Sequence, residues 1–416
     1  MQTLVQPILD FEAAKKRVAA VVRKTPLTYS QTLSKKYGAH VYLKREDLQV
    51  VRSYKLRGAY NLMCALDQQT IANGAVCASA GNHAQGFAYS CKALGVKGVI
   101  FMPVITPKQK IRQTTMFGDG CVEIVLSGDT FDDCATAARA YAAANHMVFV
   151  PPFDHPAIIE GQATVAAEVL EELPQFDYLF VPVGGGGLAA GMGSFCATFA
   201  PATKVVGVEP AGAPSMKTAL EKGFPVTLDQ IDRFVDGAAV KRVGELTFQY
   251  CKEVLHDMLL VQEGAVCSTI LNLYNEDAIV VEPAGALSIT ALEQYADKFA
   301  GKTVVCVVSG SNNDIDRMQE IKERSLQHEG LKHYFLISFA QRPGALKDFV
   351  NNVLGPGDDI TRFEYMQKHN KETGPALVGI ELGRKEDYPA LLKRMQNQQV
   401  DFTEINKQDK LFAYLV

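Results

Sequence analysis

Tryptophan is absent from the 416 residues, which decides nothing about function, but other absences exclude whole classes. An excess of either charge is missing: 42 Lys and Arg stand against 46 Asp and Glu, a formal net charge of −4. Dedicated nucleic-acid binders carry a basic surplus or stripe, so that class is set aside. Long apolar runs are also missing. Stretches such as Val304–Val308 fall far short of the roughly 20 residues that span a bilayer. The N-terminal segment mixes Asp10, Glu12, Lys15, Lys16 and Arg17 with apolar residues, so no secretion signal is expected. None of the eight histidines falls in an HExxH or similar spacing, which leaves a metalloenzyme with little support. The nine cysteines are odd in number, scattered from Cys64 to Cys306, and form no CxxC pair. A disulfide framework or zinc ribbon is therefore a poor fit, and a reducing, cytoplasmic location is expected.

What is present is an ordinary globular composition, 47% hydrophobic and 21% charged, in a chain long enough for two or three domains. Apolar β-rich runs alternate with Ala-rich helical stretches. Strands are predicted at Ala75–Ala78, Val99–Met102, Tyr178–Val183, Val205–Glu209 and Lys302–Val308, with helices at Ala84–Leu94 and Leu188–Phe199. That alternation implies an α/β fold with parallel sheets, whose ligands gather at the carboxyl ends of strands. Past the charged helical segment Asp316–Lys332 the pattern changes. Strand His333–Phe339, helix Gly344–Val353, strands Asp359–Gln367 and Ala376–Leu382, helix Tyr388–Gln398 and strand Asp401–Ile405 spell βαββαβ, a ferredoxin-like α+β unit. The expected domains are 1–328 and 329–416.

Four segments carry candidate chemistry. Gly184-Gly185-Gly186-Gly187-Leu188 lies between a strand and a helix, where glycine backbone lets several N–H groups converge on an anion. No Gly-Lys-Ser/Thr follows, so Walker A is excluded. Gly184-x-Gly186-x-x-Ala189, with Glu209 closing the next strand, also satisfies a relaxed dinucleotide-binding fingerprint. The second segment is Ser53-Tyr54-Lys55-Leu56-Arg57-Gly58. Lys55 as a nucleophile needs its neutral form, which burial and nearby cations favour, and Arg45, Arg52 and Arg57 are close in sequence. The third is Ser79-Ala80-Gly81-Asn82-His83, a turn able to offer amides and a hydroxyl to a carboxylate, or simply to cap a helix. His83 there reads as a hydrogen-bonding residue rather than a base. The fourth is the polar turn Ser309-Gly310-Ser311-Asn312-Asn313.

Taken in order, these segments resemble the fold-type II pyridoxal-phosphate enzymes of the tryptophan-synthase β family, and more closely its threonine dehydratases. The likeness extends through Lys44-Arg45-Glu46-Asp47, Phe234-Val235-Asp236-Gly237-Ala238 and Glu282-Pro283-Ala284-Gly285-Ala286. It implies a catalytic domain of two parallel-sheet lobes followed by an ACT-like regulatory domain. The resemblance implies pyridoxal 5'-phosphate as cofactor, bound covalently through Lys55, with Tyr54 where the family more often has Phe. It places the cofactor phosphate on Gly184 to Leu188, which displaces the dinucleotide reading. Asn82 would meet the phenolic oxygen and Ser309 the pyridine nitrogen, while Ser79, Ala80, Gly81, Asn82 and His83 would clamp the substrate carboxylate. A serine at the pyridine nitrogen leaves the ring a weaker electron sink, which suppresses transamination and suits loss of a β-leaving group.

The implied reaction is elimination and deamination of L-threonine to 2-oxobutanoate and ammonia, the first committed step of isoleucine biosynthesis. Ala80 stands where related serine racemases carry a second serine, so racemisation is not expected. Glu209 is followed six residues on by Ser215 rather than an acid, so no metal site is expected. A serine-preferring dehydratase and an NAD-binding oxidoreductase are the alternatives, together with a non-catalytic amino-acid sensor. Gln341-Arg342-Pro343-Gly344-Ala345-Leu346 resembles the turn where ACT units bind amino acids, which makes Arg342, Gly344 and Leu346 the candidate regulatory residues. Isoleucine is the expected effector, and a homotetramer the expected assembly.

Overall fold

The computed structural model describes residues 7–406, so the outer ends of both expected domains, residues 1–6 and 407–416, lie outside the described residues. The chain divides into two compact units, Met1–Asp314 and Ile315–Val416. In the first unit the strands are β1 (Leu27–Tyr29), β2 (His40–Arg45), β3 (Ala75–Ala78), β4 (Gly98–Met102), β5 (Val122–Leu126), β6 (Val148–Phe149), β7 (Tyr178–Pro182), β8 (Lys204–Pro210), β9 (Asp257–Val261) and β10 (Thr303–Val308). They form two sheets, one in the order β1-β2-β10-β7-β8-β9 and one in the order β5-β4-β3-β6. Every pairing is parallel except the edge pair β1–β2. Strands β3, β4 and β7 are buried along their whole length, which is why they read as unbroken apolar runs rather than alternating ones.

Chain order and sheet order together assemble the functional loops. In the larger sheet β2, β10 and β7 are neighbours and run parallel, so the segments after Arg45, Val308 and Pro182 leave the same edge side by side. The helix Lys55–Ala65 leads from that edge to the smaller sheet, where β3 delivers the Ser79–His83 turn. The helix Pro156–Glu172 leads back to β7, started by a proline in its first turn, where the missing N–H costs nothing.

Beneath Lys55 the core holds charge. Lys44 of β2 and Arg57 of the Lys55 helix are both fully buried. Arg57 reaches Glu46 Oε1 and Oε2 at 2.8 and 2.9 Å, Glu168 Oε1 and Oε2 at 2.7 and 2.9 Å, and Thr164 at 3.1 Å. Lys44 Nζ donates to Glu168 and to Thr25 O, each at 2.6 Å. Burial works against ionising Glu46, yet the Arg57 guanidinium holds its carboxyl below the usual value. Two positive and two negative side chains thus satisfy each other across four segments of the chain.

In the second unit, the helix Met318–His328 precedes β11 (Lys332–Ala340), β12 (Asp359–Tyr365), β13 (Thr373–Glu381) and β14 (Asp401–Glu404). The order β12-β13-β11-β14 with wholly antiparallel pairing is that of a ferredoxin-like sheet. In β11, Phe335, Ile337 and Phe339 face the core while Leu336, Ser338 and Ala340 are exposed, the period-two signature of a one-sided sheet. Phe349, Leu391 and Met395 from the helices Ala345–Asn352 and Tyr388–Asn397 close that core.

Removing one partner of a buried ion pair strands the others, a cost of about 3–5 kcal/mol. Arg57→Met is therefore expected to lower unfolding free energy by that amount in urea titration, and a loss under about 1 kcal/mol would contradict the account.

Candidate active site

Lys55 opens its helix, and its amine donates to Pro152 O at 3.0 Å. Burial pulls its pKa down to about 8, with the charge on Glu282 opposing. The arginines near it in sequence do not share in this. Arg57 is spent on Glu46 and Glu168, and Arg45 forms a forked pair with Asp47 at 2.7 and 2.9 Å. Their charges are neutralised locally, so desolvation alone favours the free amine. The Tyr54 ring lies 5.4 Å from the Lys55 nitrogen, and burial together with Glu282 pushes the Tyr54 phenol up.

Hydrogen bonds stitch the predicted segments to one another. Tyr54 N donates to Ser309 O at 3.3 Å, and Ser53 pairs with Gly310 as an isolated bridge. Asn82 Nδ2 donates to Glu282 Oε1 at 2.6 Å, while its carbonyl accepts from Asn312 Nδ2. Glu282 Oε2 also accepts from Asn312 N at 3.2 Å. Burial raises the Glu282 carboxyl to about 7, helped by Asp236 and opposed by the Asn82 hydrogen bond. Ser309 is buried, with its hydroxyl donating weakly to Ala284 O at 3.3 Å. Ser79 Oγ accepts from Gly81 N at 3.2 Å, and Asn82 begins the helix Asn82–Leu94 with no side-chain cap. His83 is buried, and Nε2 must carry a proton to reach Val150 O at 3.0 Å. Burial, then the Lys55 charge, lowers its pKa to about 3, so it stands neutral.

The glycine loop is the most constrained piece. A Cβ on Gly185 would fall 2.2 Å from the Phe153 ring, and Gly186 has φ +94 with Met216 and Thr247 packed against it. Only glycine fits either position. Gly185, Gly186, Gly187 and Leu188 are buried, yet among the described residues no hydrogen-bond partner takes the amides from Gly184 to Leu188. Consecutive buried donors without partners are costly unless an anion fills them, so the loop fits a phosphate group. The Ser53 hydroxyl, fully buried beside Gly310, likewise has no partner among the described residues. A lysine amine drawn down to about 8, a loop of unpaired backbone donors, and hydrogen-bonded turns that carry Asn82 and Ser309 suit pyridoxal 5'-phosphate.

The loop Pro152–Asp154 and residues Glu282 and Thr247 gave no functional signal in the sequence, and Asn312 lay in a candidate turn without a role of its own. Glu282 appeared there only within a motif and without a role. Asp154 contacts residues more than 90 positions away, which no local pattern reveals. Glu209, the dinucleotide candidate, is buried and accepts from Ser215 Oγ at 3.2 Å, Met216 N at 2.6 Å and Lys217 N at 2.9 Å. Its carboxylate caps the helix Ser215–Lys222 instead of facing a ribose. In the second unit, Gly344 has φ +87 and starts the helix Ala345–Asn352, Arg342 pairs with Asp348 at 2.8 Å, and Leu346 is 42% exposed. The three candidate regulatory residues thus share one surface turn.

Residues 18–310 match the family model of pyridoxal-phosphate dependent enzymes, and residues 323–415 match the C-terminal regulatory domain of threonine dehydratase. A biosynthetic L-threonine dehydratase of Halalkalibacterium halodurans is 53% identical over 410 residues, covering 98% of this chain and 99% of the relative. That of Bacillus subtilis is 55% identical over 404 residues, covering 97% and 96%. The processed form of threonine deaminase isoform 2 from Solanum lycopersicum superposes with a TM-score of 0.72 at 36% identity, covering 78% of this chain and 99% of that one. Maize serine racemase gives 0.71 at 27% identity, covering 76% and 97%.

A desolvated lysine should react as a free amine near pH 8. With a small aldehyde and borohydride, labelling of Lys55 in the cofactor-free chain is expected to be half-maximal at about pH 8, read by peptide mass spectrometry. A midpoint near the ordinary lysine value of 10.5 would contradict the burial argument.

Proposed function

The chain belongs to the threonine dehydratase family of pyridoxal-phosphate-dependent enzymes, and we propose that its named residues divide the work of that reaction as follows. L-threonine loses its Cα proton and its β-hydroxyl, the pair leaving as water, and hydrolysis of the remainder gives 2-oxobutanoate and ammonia. Pyridoxal phosphate, when bound, supplies the conjugated electron sink that makes the Cα proton acidic.

Lys55 is both the cofactor's covalent anchor and, once its amine is free, the base that takes the Cα proton. The single observation that carries this role is its buried amine, drawn down to about 8, which sheds its proton far more readily than an ordinary lysine. Gly184 to Leu188 grip the phosphate through their unpaired amides. The uncapped amides at the start of the Asn82–Leu94 helix, with Ser79 and the Ala80–Gly81 backbone, take the substrate carboxylate, where the helix dipole adds about 0.3–1 kcal/mol. Asn82 keeps one N–H free after its bond to Glu282, which suits it to a phenolic oxygen. The Ser309 hydroxyl can donate a hydrogen bond but carries no charge to hold a proton on a facing ring nitrogen. Neutral His83 orients its loop through Val150 and moves no proton.

In the second unit, Arg342, Gly344 and Leu346 form the effector site, with isoleucine as the ligand. An arginine beside a helix N-terminus suits the carboxylate of an amino acid, and an exposed leucine suits an aliphatic side chain. Coupling between effector and catalytic sites is typically about 1–3 kcal/mol. Threonine is the substrate, serine a weaker one, since one methyl discriminates by about 1–3 kcal/mol. We place the enzyme in the cytoplasm as a homotetramer. Among the described residues no helix is long and apolar enough to cross a membrane, and all nine cysteines are free thiols.

The purified protein is expected to form 2-oxobutanoate from L-threonine, less of it when L-isoleucine is added. Lys55→Ala is expected to abolish both turnover and covalent cofactor attachment, and wild-type turnover in that variant would overturn the assignment. Arg342→Ala is expected to blunt the isoleucine response while leaving basal turnover intact; an unchanged response would remove Arg342 from the effector site.

A further inference from the structure

Behind the glycine loop, two side chains hold its backbone from outside the cradle. Asp154 spends both oxygens on the start of the helix Glu245–Val254. Its Oδ2 accepts from Glu245 N at 3.1 Å, and its Oδ1 from Leu246 N and Thr247 N at 3.0 Å each. A carboxylate at this position also complements the positive end of the helix dipole. The third residue so fixed, Thr247, is fully buried and donates its hydroxyl to Gly185 O at 2.6 Å. Gly244 N reaches the same carbonyl at 3.4 Å.

The Gly185–Gly186 peptide is trans and planar, so its C=O and N–H point in opposite directions. Pinning Gly185 O on Thr247 therefore turns the Gly186 N–H away from Thr247, and that amide is one of the unpaired donors of the loop. On the other side of Asp154 in sequence, Phe153 supports Gly185 with its ring and Gly187 with its Cβ and backbone, and Pro152 O accepts from Lys55. Three consecutive residues thus touch the amine, the floor of the glycine loop and the helix that clamps its carbonyl.

We propose that Asp154 and Thr247 are positioning residues that lock the rotation of the Gly185–Gly186 peptide, so that its N–H is aimed at the cofactor phosphate. This rests on the reading of Gly184–Leu188 as the phosphate cradle. Neither side chain is needed for the covalent bond at Lys55, so their effect falls on the phosphate end of the ligand alone.

The full-length protein, freed of cofactor, is titrated with pyridoxal 5'-phosphate and with pyridoxal, which has the same aldehyde and no phosphate. Visible absorbance reports the lysine-bound form of each. Thr247→Val, which keeps the shape and removes the hydroxyl, is expected to weaken the phosphate-bearing ligand roughly tenfold and pyridoxal less than about twofold. Thr247→Ser is expected to restore the phosphate preference, and Asp154→Asn to lose it in the same selective way. Equal losses for both ligands, or no loss for either, would overturn the proposal. If Thr247→Val fails to fold, Asp154→Asn decides: selective loss of phosphate-dependent affinity supports the clamp, and wild-type affinities refute it. A wild-type protein that binds both ligands equally would instead refute the cradle reading, an outcome the variants cannot mimic.

Discussion

Three buried charges and a fourth at the edge of the core hold the catalytic unit in register. Lys44, Glu46, Arg57 and Glu168 come from a sheet strand, the turn after it, the helix that starts at Lys55, and the helix that follows the Pro152–Asp154 loop. Burying ions is expensive, and well-packed apolar side chains often do as well or better for stability. What an apolar patch cannot do is demand one orientation. Arg57 presents a planar fork to two carboxylates, and each carboxylate accepts along defined directions. The helix carrying Lys55 cannot turn or slide against the helix Pro156–Glu172 without breaking several charged hydrogen bonds together.

That rigidity explains how one amine is set for its task. Lys55 sits two residues before Arg57, at the point where the fixed helix emerges beside Pro152. Because Arg45 and Arg57 are neutralised by their own partners, the amine is tuned by dehydration, with Glu282 as the opposing charge. Glu282 in turn is tied to Asn82 and Asn312, so the segment proposed to meet the phenolic oxygen is linked to the same electrostatic system. The glycine loop is held separately, from Phe153 below and Thr247 behind. The unit therefore fixes the Lys55 amine and the glycine loop by different means that meet at the Pro152–Asp154 loop.

Much of this was legible in the sequence where the signal was local. Strand Ala75–Ala78 was read to the residue, and the βαββαβ order of the C-terminal unit was read element by element, because alternation in β11 and helical spacing after it are strong local patterns. The short edge strand Leu27–Tyr29 and the two-residue Val148–Phe149 were not, since so few residues set up no periodicity. The four loops were recognised as chemical, yet how they touch was not visible. Asn82 and Glu282 are 200 residues apart, and Asp154 meets its helix across more than 90. Arg57 shows the same limit: Glu46 lies 11 residues away, but its second partner, Glu168, lies 111 residues along the chain.

The central claim is that this chain's own geometry singles out Lys55 among its lysines as the cofactor's anchor. The most direct measurement is borohydride reduction of the purified holoenzyme, followed by peptide mass mapping of the fixed cofactor. The account predicts the added mass on the peptide containing Lys55 alone. Label on a different lysine, or on none while the protein still converts L-threonine, would contradict it.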